Sequence, residues 1–185
     1  MTRYSGIYLI IVMHRNIKKP GSEPAVVSVV GKSGSGKTTL MVNLIEELRK
    51  SGFRIGSIKH HMHSFEMDSP GKDSWRHKQA GAERSMVASP NRIGLTMDVD
   101  RDLDLDELVS YFEGMDVVLA EGYKGGARPK VEVFRSEVYD NPICLDDENL
   151  IAVVTDDNLD VKVPRFRLND IKGLSDFLIT HFHLS

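Results

Sequence analysis

The chain has 185 residues, 41% of them apolar and 28% charged, with a formal net charge of −3. That length suits one domain with a sizeable core, and the slight acidic balance argues against a surface built for nucleic acid or an anionic membrane. Cys144 is the only cysteine, which excludes an intrachain disulfide and suits a reducing cytoplasm.

The first hydrophobic run, Ile7 to Met13, is too short to span a bilayer, and a signal peptide would need a basic leader, a longer core and a cleavage site. It reads as an extra strand or as an extension. The basic, then Pro/Gly/Ser-rich stretch from His14 to Pro24 favours an extension over residues 1–24, with a nucleotide-binding domain over residues 25–185.

Ala25 to Val30 (Ala-Val-Val-Ser-Val-Val) predicts a strand buried on both faces. It leads into Gly31-Lys32-Ser33-Gly34-Ser35-Gly36-Lys37-Thr38, then Thr39, which satisfies the GxxxxGK[ST] pattern. Leu40, Met41, Leu44, Ile45 and Leu48 recur at helical spacing and predict a helix over Lys37 to Lys50, stopped at Ser51-Gly52. In this strand–loop–helix setting the glycines let backbone amides turn inward, and the helix adds the positive end of its dipole. Gly31, Ser33, Gly34, Ser35, Gly36, Lys37, Thr38 and Thr39 are therefore candidate phosphate-binding residues. Lys37 is placed to reach the β- and γ-phosphates, and Thr38 to give its hydroxyl to Mg²⁺.

Phe53 to Ile58 reads as the second strand. The polar, aperiodic loop from Lys59 to Asp73 leaves its end at the usual ligand edge of an α/β sheet. Within it Asp68 and Asp73 are candidates for magnesium or water orientation, against turn stabilisation and helix capping. His60, His61 and His63 have no neighbouring cysteine and no tetrahedral spacing, so imidazoles beside a phosphate pocket, or in a solvated loop, are favoured over zinc. Asp73 to Gly81 predicts a short helix capped by Asp73 or Ser74. Ser85 to Ala88 and Arg92 to Met97 predict a hairpin, and Asp104 to Phe112 an amphipathic helix capped by Asp104 or Asp102.

Asp116 to Gly122 describes a buried strand ending in an acid, so Glu121 is a candidate magnesium ligand; the alternative is a carboxylate that meets only solvent. Lys130 to Arg135 alternates like a half-exposed strand. With residues 92–97 it offers an edge that a second chain could cover. Ile151 to Thr155 is a further buried strand, and Asp156 behind it can accept from guanine N1 and its amine. The Asn-Lys-x-Asp guanine motif is absent, so the residues alone leave the base open. Val163 to Phe166 and Ile171 to His181 predict an edge element and a closing helix. Lys59, Lys72, Lys124, Arg128 and Lys130 form either a positive mouth or ordinary surface charge. The expected fold is α/β: a P-loop NTPase-like three-layer domain, its mostly parallel sheet flanked by helices and additional edge strands.

Across about residues 25–160 the segments Val-Val-Gly-Lys-Ser-Gly-Ser-Gly-Lys-Thr-Thr-Leu, Ile-Gly-Ser-Ile-Lys-His-His-Met-His, Asp-Ser-Pro-Gly-Lys-Asp-Ser-Trp-Arg-His, Val-Val-Leu-Ala-Glu-Gly-Tyr-Lys and Lys-Val-Glu-Val-Phe-Arg resemble the molybdopterin-guanine dinucleotide biosynthesis adaptor (MobB) family. The resemblance implies a cytoplasmic, homodimeric GTP-binding protein with weak Mg²⁺-dependent GTPase activity. It would act beside the molybdenum cofactor guanylyltransferase, with molybdopterin as a further candidate ligand. By that likeness Lys37 and Thr38 bind phosphate and Mg²⁺, Glu121 is the acid after the buried strand, and Asp156 lies near the base. Catalytic roles fall to Lys37, Glu121 and Asp73, and metal binding to Thr38, Glu121 and Asp68. Two other readings stay open: a small-molecule kinase or ligase, and a nucleotide-gated metalloenzyme-binding module or metallochaperone.

Overall fold

The computed structural model describes residues 23–61 and 65–185. The expected extension over residues 1–24 therefore lies outside the described residues except for Glu23 and Pro24, and His63 lies outside them as well. A six-stranded sheet is built from β1 (Ala25–Val30), β2 (Ile55–Lys59), β5 (Val117–Glu121), β6 (Lys130–Val133), β7 (Leu150–Val154) and β8 (Arg165–Phe166) in the order β2-β5-β1-β6-β7-β8. Every pairing in it is parallel. β3 (Arg84–Ser89) and β4 (Arg92–Met97) form a separate antiparallel hairpin. This is the α/β, P-loop NTPase-like layered architecture expected from the sequence.

The near-continuous apolar run of β1 has its reason in this order. Val27 and Val29 face a core shared with α1 (Lys37–Lys50) and α4 (Ile171–His181), which includes Leu40, Leu44, Leu48, Leu174 and Leu178. On the other face, Val26 packs with Val118, Ala120 and the short α3 (Leu105–Val109), while Val30 packs with Phe134, Tyr139 and Cys144. Each fully buried leucine in such a core contributes roughly 1.5–3 kcal/mol. Asp104, rather than Asp102, caps α3 through a reciprocal capping box with Glu107. The expected helix to Phe112 finishes as a 3₁₀ turn over Ser110–Phe112. Phe112 presses on β2 so closely that a Cβ at Gly56 would stand 2.3 Å from its ring.

Two expectations are corrected. The second strand begins at Ile55 rather than Phe53, because the Arg54 amide donates to the Asp116 carboxylate at 2.7 Å. β6 is not a half-exposed strand for a second chain to cover: it lies between β1 and β7, and all four of its residues are buried. Its polar positions are satisfied inside. Lys130 pairs with Asp147 at 2.8 Å, and Glu132 accepts from the amides of Ile143 and Cys144.

Among the described residues no helix is long and apolar enough to cross a membrane.

Candidate functional site

The site forms where β1 hands over to α1, at the carboxyl edge of the parallel strands. The chain winds from β1 out to β2, returns through β5 on one side of β1 and continues to β6 on the other, so the edge above β1 is a topological switch point. Gly31, Gly34 and Gly36 take left-handed φ values of 141°, 83° and 99°. At Gly31 the demand is also spatial: a Cβ there would stand 2.5 Å from the Val133 carbonyl oxygen and 2.8 Å from Ser35 Oγ. Ser35 is fully buried, and its Oγ has no hydrogen-bond partner among the described residues.

Gly36 is the N-cap of α1, with no side-chain cap and no acid in the first turn. The first amides of that helix have no intrahelical acceptor and stand open at the positive end of its dipole. The Lys32 carbonyl accepts from the Ser35 amide at 3.2 Å and from Lys37 Nζ at 2.9 Å, which closes the loop and holds the ammonium over it. Thr38 Oγ1 donates to the Glu121 carboxylate, at 3.2 Å from Oε1 and 3.1 Å from Oε2, across 83 residues of sequence. The geometry thus unites the two candidate magnesium ligands contributed by α1 and β5. A hydroxyl and one carboxylate at the mouth of this glycine-rich loop match the hard-oxygen set that magnesium takes with nucleotide phosphates and water. The cradle around Gly31, the unpaired buried Ser35 hydroxyl and the Thr38–Glu121 pair all fit a nucleotide phosphate chain with Mg²⁺.

The end of β5 is fixed by its neighbours. The His60 amide donates to the Glu121 carbonyl at 3.0 Å, and the Gly122 amide donates to the Val29 carbonyl at 3.0 Å. His60 Nε2 lies 3.0 Å from Asp102 Oδ2, and its ring is tilted against Tyr123, centroids 4.6 Å apart. Sequence reasoning left Asp102 as a possible helix cap; its contact with His60 is long-range and has no local signal. Burial, then the charges of Asp102 and Asp104, push the Tyr123 phenol upward.

The other candidates are placed differently. Asp68 accepts from the Ser69 amide at 2.8 Å, the turn role weighed for it. Asp73 opens α2 (Asp73–Gln79) from its first turn, while the N-cap is Lys72. Asp68, Asp73 and Glu121 do not come together in one cluster: the described residues contain no group of three or more His, Cys, Asp or Glu able to hold a metal. Asp156 Oδ1 accepts from the Leu168 amide at 3.2 Å, at the end of β7. Beside it Asp157 accepts from Ser136, whose hydroxyl is its chief reason for standing below the usual carboxylate range.

The positive mouth is smaller than expected. Lys130 is buried with Asp147, and Arg128 is held by Asp106 and Glu23, which leaves Lys59, Lys72 and Lys124 of the original five. Arg135 was not singled out in the sequence. It follows β6 at the same edge, and its Nε is buried without a partner among the described residues.

The comparisons agree with this geometry. The sequence model described as molybdopterin guanine dinucleotide synthesis protein B (MobB) matches residues 26–156. The molybdopterin-guanine dinucleotide biosynthesis adapter protein of Haemophilus influenzae is 34% identical over 182 residues, covering 96% of this chain and 98% of the relative. That of Escherichia coli is 39% identical over 152 residues, covering 80% of this chain and 87% of the relative. Among solved structures, MobB of Bacillus subtilis superposes with a TM-score of 0.66 at 30% identity, over 84% of this chain and 96% of that one. The likeness in sequence runs from β1 to the end of β7, across the loop edge that holds Gly31 to Thr38 and Glu121, and the chain belongs to the MobB family.

Proposed function

We propose that this chain binds GTP with Mg²⁺ at the P-loop, hydrolyses it slowly, and serves as an adaptor beside the guanylyltransferase that converts molybdenum cofactor to its guanine dinucleotide form. The observation that carries the reading is the Thr38–Glu121 hydrogen bond, which sets a hydroxyl and a carboxylate together at the loop mouth. Lys37 and the first amides of α1 offset the charge of the β- and γ-phosphates. A magnesium ion held by Thr38 and Glu121 would supply further charge stabilisation as water attacks the γ-phosphate. Asp156 is the proposed acceptor for the guanine edge. Glu121 is bonded to Thr38, and Asp73 sits in the first turn of α2. Among the described residues no strong general base stands out, in keeping with slow hydrolysis that depends on a partner.

The reading includes a homodimer. In the hairpin register Met86 pairs with Leu95 and Ala88 with Ile93, so these four apolar residues share one face, and all are exposed. A two-stranded hairpin is marginal alone, and a second copy seated on that face would cover it. Cys144 is buried and its thiol is pushed up to about 11, chiefly by burial, which keeps it unreactive.

Calorimetric titration of GTP and of ATP, each with Mg²⁺, is the test. Tighter binding of GTP, with that preference reduced in Asp156→Asn, supports the reading, and an ATP preference contradicts it. Capture of the purified guanylyltransferase by the GTP-loaded chain then distinguishes an adaptor from an autonomous kinase, which would transfer the γ-phosphate to a small molecule without a partner.

A further inference from the structure

Glu132 has no exposure to solvent, and it sits on β6, the strand beside the P-loop strand. A buried carboxylate is costly unless fully hydrogen-bonded. Here Oε1 accepts from the Ile143 amide at 2.7 Å and from the Tyr139 hydroxyl at 3.0 Å, and Oε2 accepts from the Cys144 amide at 2.9 Å. One side chain thus pins three points of the segment that follows β6. The Tyr139 hydroxyl, with a single proton, also lies 2.8 Å from the Val133 carbonyl.

The same phenol meets the phosphate loop from below. Its oxygen lies 3.4 Å from where a Cβ of Gly31 would stand, beside the Val133 carbonyl that already confines that glycine. Lys32 Nζ stands 5.4 Å from the centre of the Tyr139 ring. The Val138 side chain reaches to 4.0 Å from the Cβ position of Gly34. Burial and the neighbouring Glu132 raise the phenol well above its ordinary range, so it stays protonated and able to donate, while the Lys32 backbone amide opposes that rise. At the pinned Ile143 and just past Cys144, at Leu145, the segment presents exposed apolar side chains.

We propose that Tyr139, held by the buried carboxylate of Glu132, is a positioning residue for the phosphate loop and couples occupancy of that loop to the order of residues 139–145. The proposal rests on the nucleotide-binding reading above. Tyr139 sets the floor against which Gly31 and Lys32 are shaped. Glu132 transmits any tightening of that floor to the Ile143 and Cys144 amides.

Tyr139→Phe tests it, because the ring beside Lys32 is kept and only the hydroxyl is removed. The measurements are calorimetric affinity for Mg²⁺–GTP and amide hydrogen exchange over residues 139–145, with and without Mg²⁺–GTP. In the wild type, nucleotide should slow exchange at Ile143 and Cys144. In Tyr139→Phe the affinity should fall about three- to ten-fold, the worth of one hydrogen bond, and the nucleotide-dependent protection should vanish. A purely structural role would lower the melting temperature and leave both readouts unmoved. Glu132→Gln should act in the same direction, while Tyr139→Phe carries the test if that variant does not fold. Wild-type affinity in Tyr139→Phe, or wild-type exchange at Ile143 and Cys144 that ignores nucleotide, overturns the proposal. Lys37→Ala separates the two failures. If it loses binding while Tyr139→Phe keeps it, only the positioning role is wrong; if the wild type itself binds no nucleotide, both readings fall.

Discussion

The two sheets of this molecule treat side chains in opposite ways. In the six-stranded sheet even a lysine and a glutamate are enclosed, with Lys130 at 1% and Glu132 at 0% exposure, because loops on the same face bring Asp147, Tyr139 and two backbone amides to meet them. In the β3–β4 hairpin it is the apolar residues that stand in solvent, Met86 at 47% and Ile93 at 49%. The hairpin is tied to the body at its root, where Lys78 bonds the Ala82 and Glu83 carbonyls and Asp98, and Ser85 donates to the Ser74 carbonyl. The contrast separates a closed core, which carries the proposed nucleotide edge, from a hairpin whose apolar face the proposed dimer would cover.

The comparison can be broken most sharply inside the closed sheet. Asp147→Ala takes the carboxylate from the buried Lys130 ammonium and leaves it the Gly126 carbonyl, and chemical denaturation should show a loss of about 3 kcal/mol. A loss under about 1 kcal/mol would mean that the pair is a surface ion pair in effect. The pH dependence has a definite sign. The hydrogen bond from Lys130 is the main reason that the Asp147 carboxyl lies below the usual range in the folded protein. Its contribution is therefore fully present above the unfolded carboxyl value of about 4 and drains away as pH falls through the lower folded value. In Asp147→Asn the fall in stability between about pH 5 and pH 2 should be shallower than in the wild type.

Gly56→Ala tests the closeness of packing on the α3 side, where Phe112 leaves no room for a methyl group. A cost of about 1–3 kcal/mol is expected, read as a lowered melting temperature. Wild-type stability would show that Phe112 swings away freely.

On the hairpin the expectation reverses. Ile93→Asp with Leu95→Asp should change the stability of the monomeric fold by no more than about 0.5 kcal/mol, as befits exposed positions. The same pair should convert a sedimenting dimer to monomer. An unchanged dimer would move the interface elsewhere.

Much of the closed sheet was legible because its signals are local. The apolar run of β1, the glycines of the loop and the helical spacing from Leu40 to Leu48 gave bounds that coincide with those observed for β1 and α1. Lys37, Thr38 and Glu121 were each visible for the same reason, as residues at the end of a strand or the start of a helix. What joins them was not, since Thr38 meets Glu121 across 83 residues. β6 misled because Lys-Val-Glu-Val is the alternation of a half-exposed strand; only the fold supplies the inward partners of Lys130 and Glu132. The same non-locality hid Tyr139 beneath the P-loop and Asp102 beside His60. It also bears on Asp68 and Asp73, which the polar loop offered to the metal but which form no cluster of three with Glu121.

The central claim is that the edge above β1 and β5 is a magnesium–nucleotide site, and the magnesium dependence of GTP affinity tests it most directly. GTP should bind the wild type more tightly with Mg²⁺ than with a chelator. Glu121→Gln should keep metal-free binding and lose most of that gain, whereas Lys37→Ala should weaken binding in both conditions. Equal affinity with and without Mg²⁺ in the wild type, or an undiminished gain in Glu121→Gln, would contradict the account.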